Sequence, residues 1–117
     1  MINEKIALIM LEGEIPDSKA PGFDYTKELY SSVQKFAQSS LALCDQGRTK
    51  KFESHLNLAF RLFKEGNNTV KNSIVNVYLY AISYALDQND ALRKLAKGLF
   101  PKELAEEYQR LHLVGGL

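Results

Sequence analysis

The 117-residue chain contains one cysteine, two histidines and no tryptophan. A single thiol, Cys44, cannot form an internal disulfide, and the Cys/His spacing of a structural zinc site is absent. We therefore expect no metal site and no disulfide framework. A reducing cytoplasm is the compartment that fits this cysteine usage.

Long apolar runs and an excess of one charge are also missing. The N-terminal apolar run, Ile6 to Leu11, lies between acidic residues and is too short for a signal peptide. No run approaches the roughly 18 residues of a membrane span. The formal net charge is +1, so electrostatics favours neither nucleic acid nor an anionic membrane as a partner.

Sequence patterns that carry chemistry are absent too. The chain has no glycine-rich phosphate loop, no nucleophile elbow, no HExxH motif and none of the Glu-x-x-His sequences of di-iron bundles. Cys44 lies among apolar residues, which favours a small buried side chain over a nucleophile. We expect no catalytic residue and no cofactor, so an enzyme is the less favoured class.

Helical periodicity dominates what is present, and no stretch alternates as a strand would. The pattern predicts an all-α fold, a single compact bundle of five to six helices. Two antiparallel helical hairpins and a short N-terminal helix would build it. One domain is expected over residues 1–117, with an irregular loop at 13–23 that contains two prolines.

The helix ends are predicted from capping residues. The first three helices are expected at about 3–12, 24–46 and 49–65, and the fourth from Val70 to Gln88. Gly66 should stop the third helix and Asn68 should cap the fourth. A short fifth helix should stop at Gly98, and Pro101 should stand in the first turn of the last one.

The fourth predicted helix is apolar over an arc of about 200° at 100° per residue, which predicts a central position in the bundle. Its polar residues fall within about 80° on the same wheel. We call them the polar stripe, and they are Asn72, Asn76, Tyr80, Ser83 and Asp87.

Three orientations of the polar stripe remain open. If it faces solvent, the polar stripe is simply the solvent-exposed side of a central helix. Facing another helix, its asparagines must be hydrogen-bonded there and can fix the packing. Bordering a groove, its amides, hydroxyls and ring suit binding a partner or polar ligand.

Two further sites are hypotheses. His55 lies on the inner face of the third helix, where a hydrogen-bonded core histidine is favoured. The alternative is a ligand pocket, or a minor enzyme, in which His55 acts with Asn72 or Asn76. The N-terminal apolar set would pack against a second copy in a homodimer, and it consists of Ile2, Ile6, Ile9 and Met10.

Two segments, FKEGNNTVKNSIVNVYLYAIS and LFPKELAEEYQRLHLVGG, resemble an uncharacterised family of small all-helical bacterial proteins, a domain of unknown function. The resemblance covers roughly residues 52–117 and implies no particular activity. As small all-helical proteins, members of this family are similar to immunity proteins encoded beside polymorphic toxins. The matching residues are Phe63, Gly66, Asn72, Asn76 and Val77 in the first segment and Leu99, Pro101, Leu104, Tyr108 and Gly115 in the second.

These observations together predict a small cytoplasmic, non-enzymatic protein-binding domain, immunity-like or regulatory in role. The polar stripe is the predicted surface for the partner, which is expected to be another protein.

Overall fold

The computed structural model describes residues 1–12 and 25–115, so the loop predicted at 13–23 lies outside the described residues. The described part contains no β-strand beyond one isolated bridge, which confirms the all-α prediction. Its elements are α1 (Glu4–Glu12), α2 (Tyr25–Asp45), α3 (Thr49–Glu65), α4 (Asn68–Ser73), a π-helical segment (Ile74–Leu79), α5 (Tyr80–Asp87), α6 (Asp90–Leu99) and α7 (Lys102–Gly115).

The elements α4, the π segment and α5 follow one another without a break, and we call them the central helix. The described residues therefore hold six continuous helical stretches, within the predicted number. The central helix contacts α1, α2, α3, α6 and α7. Its predicted central position is thus confirmed.

Two of the predicted helix ends are wrong. The cap of the central helix is Asn67, not Asn68, because the Asn67 side chain accepts a hydrogen bond of 3.0 Å from the Val70 backbone N–H. α6 continues through Gly98 to Leu99. Gly98 does not adopt the left-handed φ of a glycine stop, which only Gly47 shows among the described residues.

The N-terminal residues are tied to the junction between α3 and the central helix. The Ile2 N–H donates to the Glu65 carbonyl, and the Asn67 N–H donates to the Ile2 carbonyl, both at 2.8 Å. The Asn67 side-chain amide also donates to the Glu4 carboxylate. Ile2 is only 7% exposed, so it belongs to the core of its own chain. Its predicted role in a homodimer contact is therefore wrong.

The π segment shifts the buried face of the central helix. Up to the first residue of this segment, the buried residues are Val70, Ser73 and Ile74. In an uninterrupted α-helix, at 100° per residue, Val77 and Ala81 would continue that face. A π turn adds one residue to the α-helical turn and so rotates the following residues by about 100°. The buried residues after the shift are instead Tyr78, Leu79, Ile82 and Leu86.

The hydrophobic effect explains why the shift is stable. It places Leu79, Ile82 and Leu86 in the core and leaves smaller side chains, such as those of Ala81 and Ala85, half-exposed. Burying a leucine or isoleucine stabilises a fold by about 1.5–3 kcal/mol, much more than burying an alanine. The wide apolar arc is therefore two adjoining faces, a large one for the core and a smaller outer one.

Candidate functional site

An open groove lies between α2 and the central helix, with a volume of about 690 Å³. Its rims carry three tyrosines that are 37%, 65% and 65% exposed, Tyr30, Tyr80 and Tyr84. No residue that lines the groove is charged. The remaining lining residues are Ser31, Gln34, Leu41, Asn76, Val77, Ala81 and Ala85.

The floor of the groove is the small outer face of the central helix. Val77, Ala81 and Ala85 recur every four residues and are half-buried, and Leu41 of α2 adds a further apolar side chain. These positions would face the core in an uninterrupted α-helix, so the π segment is what turns them outward. The groove is therefore a direct consequence of the shift in the buried face.

The polar stripe is not one uniform surface. Asn72, Asn76 and Tyr80 are exposed, which excludes the reading in which the asparagines are buried against another helix. Asn76 and Tyr80 line the groove, so this half of the stripe fits the groove alternative. Ser83 is half-buried and Asp87 is exposed.

The second half of the stripe lies beside α6 and α7. Burial raises the pKa of the Tyr108 hydroxyl, and the Asp87 carboxylate raises it further. The positive charge of Arg93 and the side chain of Ser83 act in the opposite direction. Ser83 and Asp87 are therefore near Tyr108 of α7, and neither lines the groove.

A buried hydrogen-bonded chain links α2, α3 and the π segment. The Tyr78 hydroxyl donates to Ser40 Oγ at 2.9 Å, and Ser40 Oγ lies 2.8 Å from His55 Nδ1. The Phe36 ring stacks on both the His55 ring and the Tyr78 ring, with centroids 4.5 Å and 5.1 Å apart. Because Ser40 accepts from Tyr78, its own proton is free to bond an unprotonated Nδ1.

This chain is structural rather than catalytic. Ser40 and Tyr78 are fully buried and His55 is 4% exposed, so a substrate cannot reach the serine–histidine pair. Burial raises the pKa of Tyr78 far above its ordinary value; its bond to Ser40 opposes this and nearby Cys44 adds to it, so the phenol stays neutral. The chain satisfies polar groups that would otherwise be costly inside a core.

His55 is the hydrogen-bonded core histidine that its position favoured. It is buried and does not line the groove, whereas Asn72 and Asn76 are exposed. This geometry removes the alternative in which His55 forms a ligand pocket or an enzyme site with either asparagine.

Cys44 is 2% exposed, in agreement with its prediction as a small buried side chain. Burial raises the pKa of its thiol, and the neighbouring Asp45 carboxylate raises it further. A thiol in this state is a poor nucleophile, because the thiolate is the reactive form.

Residues 1–12 and 25–115 contain neither a metal-binding cluster nor a helix that could span a membrane. In these ranges no three His, Cys, Asp or Glu side chains are grouped so that they could hold a metal ion. No helix of the same ranges combines the length and apolar character needed to cross a membrane.

Sequence reasoning missed Tyr30, Gln34, Leu41 and Tyr84 as groove residues. A signal was present in the central helix, where Tyr80 and Tyr84 are one turn apart and small apolar residues recur every four positions beside them. The contribution of α2 had no such local signal, because it depends on which face of α2 meets the central helix.

The chain has no match among curated proteins or among solved structures. A family model does match, over residues 9–114, which extends well upstream of the resemblance at 52–117 and includes every residue of the groove. Since the match covers far more than half of the chain, the chain belongs to that family, which is described as a domain of unknown function (DUF7674).

Proposed function

We propose that the chain is a small cytoplasmic protein-binding domain without enzymatic activity, and that the groove between α2 and the central helix holds its partner. An immunity-like or regulatory role is the concrete form of the proposal. The observation that carries it is the uncharged groove rimmed by Tyr30, Tyr80 and Tyr84.

The composition of the groove supports protein binding. Tyrosine offers a large, rigid contact area with a hydrogen-bonding tip, and it is enriched among residues that dominate binding energy. Amides of Gln34 and Asn76 add donors and acceptors beside an apolar floor. An apolar centre with polar groups around it is the usual anatomy of a protein interface.

The absence of charge in the groove lining restricts the kind of surface that a partner can present to it. A charged side chain buried there would lose its hydration without gaining a counter-charge, which is unfavourable. The partner is therefore expected to present apolar side chains and neutral hydrogen-bonding groups to the groove.

The experiment places a photo-crosslinking amino acid at position 84 and, as a control, at position 57, an exposed site on α3 away from the groove. In cells of the source organism, a discrete crosslinked protein is expected from position 84 only. The product of the adjacent gene is the first candidate to examine. Equal crosslinking from both positions would contradict a partner site in the groove.

A double substitution then measures the contribution of the rim. Tyr80→Ala with Tyr84→Ala should weaken binding of the captured partner at least about tenfold, because interface tyrosines each contribute roughly 1 kcal/mol or more. Lys50→Ala with Asn57→Ala is the matched control and should bind normally. If the partner is a toxin, the wild-type chain should protect cells that express it and the tyrosine variant should not.

A further inference from the structure

The large hydrophobic side chains that remain exposed gather in two places on the described surface. Met1, Ile6 and Ile9 belong to the N-terminal segment and α1. The other three are Tyr30, Tyr80 and Tyr84, on the rims of the groove. Between them, the described chain carries an unpartnered apolar ridge and an unpartnered apolar groove.

The ridge is formed by α1. This helix buries Ala7, Leu8 and Leu11 on its inner side. Ile6 and Ile9 are one turn apart on the helix and remain 44% and 55% exposed. Neither position carries a charge, and both side chains project from a helix whose backbone is already hydrogen-bonded.

The groove is suited to a helix with such a ridge. Ala81 and Ala85 stand one turn apart on its floor, and small side chains at that spacing let another helix approach closely. A helix needs no backbone partners from the groove, whereas an extended segment does. Ile6, Ile9 and the groove lining carry no charge, so contact among these side chains buries no ion.

We infer that the groove of one molecule binds α1 of a second copy through Ile6 and Ile9. This inference rests on the proposed function, since it names one occupant of the same groove. Self-docking would occupy the site at high protein concentration, and another partner would have to displace it. The contact joins unlike surfaces, so it differs from a homodimer in which α1 packs on α1.

The exposed area sets the strength of this contact. At 44% and 55% exposure, Ile6 and Ile9 together expose about the surface of one isoleucine, far below the roughly 800 Å² per partner of a standard interface. Self-association is therefore expected to be weak, with a dissociation constant on the order of 10 μM or above.

The experiment compares full-length chains by sedimentation equilibrium over a wide range of concentrations. The ridge variant is Ile6→Gln with Ile9→Gln, and the groove variant is Tyr80→Ala with Tyr84→Ala. The replaced side chains are all exposed and the new residues favour helices, so circular dichroism should show native folding. Each variant alone should raise the dissociation constant at least tenfold.

Mixing the two variants is the decisive measurement. The intact groove of the ridge variant can still bind the intact α1 of the groove variant, so the mixture should form a heterodimer that neither variant forms alone. Lys50→Ala with Asn57→Ala should associate like the wild type. A mixture that stays monomeric while the wild type associates would overturn the inference in favour of α1 on α1 or groove on groove.

A wild-type chain that stays monomeric at all concentrations would also overturn it. That result is separable from failure of the proposed function, because crosslinking from position 84 to a different protein is scored independently by mass. Crosslinking to a second copy of the chain from position 84 would support the inference.

Discussion

Gly66 joins the end of α3 to Asn67, the cap of the central helix, and Gly66→Ala tests that junction. A Cβ at this position would lie 2.4 Å from the Leu62 carbonyl oxygen and 2.5 Å from Val70 Cγ1. The φ of −74° is available to any residue, so the whole cost is steric.

Neither neighbour can move away easily. The Leu62 carbonyl accepts the Gly66 N–H at 3.0 Å, and Val70 is fully buried in the first turn of the central helix. Ile2 is also paired with this junction through backbone hydrogen bonds. Overpacking usually costs about 1–3 kcal/mol, and we expect about 3 kcal/mol here because one clash is with backbone.

Two other glycines provide controls, because substitution with alanine should raise the stability of the fold at one of them and lower it at the other. At Gly98 nothing lies within 4 Å of a Cβ, and the residue is inside α6, so Gly98→Ala should stabilise the fold by about 0.5–1 kcal/mol. Gly47 has open space but a φ of +74°, so Gly47→Ala should cost about 1 kcal/mol through backbone strain.

Urea unfolding followed by circular dichroism at neutral pH measures the whole series. The expected order of stability is Gly98→Ala, wild type, Gly47→Ala and Gly66→Ala, and the last should also lower the melting temperature by about 10 °C. A Gly66→Ala variant within about 0.5 kcal/mol of the wild type would refute the close approach at this junction.

Three further tests concern the core and its buried groups. Leu79→Ala should cost about 2–5 kcal/mol and Val77→Ala about 1 kcal/mol or less in urea unfolding, and an uninterrupted α-helix would reverse that order. Tyr78→Phe should cost about 1–2 kcal/mol at pH 7, whereas exposed Tyr80→Phe should be neutral. Folding raises the pKa of Tyr78, so the stability contributed by its neutral hydroxyl is fully present below about pH 10 and declines above that pH. The Tyr78→Phe variant should therefore lose less stability than the wild type between pH 9 and 11. Cys44 should react with a disulfide reagent at least about 100-fold more slowly in native protein than in urea, and rapid native labelling would contradict its burial.

Helix positions were predictable because their determinants are local. The apolar periodicity and the glycines at both ends of α3 predict Thr49–Glu65, which is the observed range. The cap of the central helix was misplaced by one residue because Asn67 and Asn68 are adjacent and both suit the position. Choosing between them depends on the extended conformation of Gly66, which the contact with Ile2 and Val70 determines.

The π segment was not predictable from the pattern. A wheel drawn at a constant 100° per residue merges the two apolar faces of the central helix into one wide arc. Which face is buried depends on the size of the side chains that α2, α3, α6 and α7 can accommodate, and this is long-range information. The partner of His55 was hidden for the same reason, since Ser40 and Tyr78 are far from it in sequence.

The small outer face is the strongest reason to connect the fold with binding. A face that meets only water needs neither Val77 nor the exposed rings of Tyr80 and Tyr84, because glutamate, lysine or glutamine would support the helix at least as well. Under the proposed function, the apolar residues of the central helix divide between core packing and partner binding, which the wheel cannot separate. Substitution of Leu79 should change stability, and substitution of Tyr84 should change association while stability stays the same. A Tyr84→Ala variant that lost stability as much as Leu79→Ala would show that the outer face belongs to the core after all.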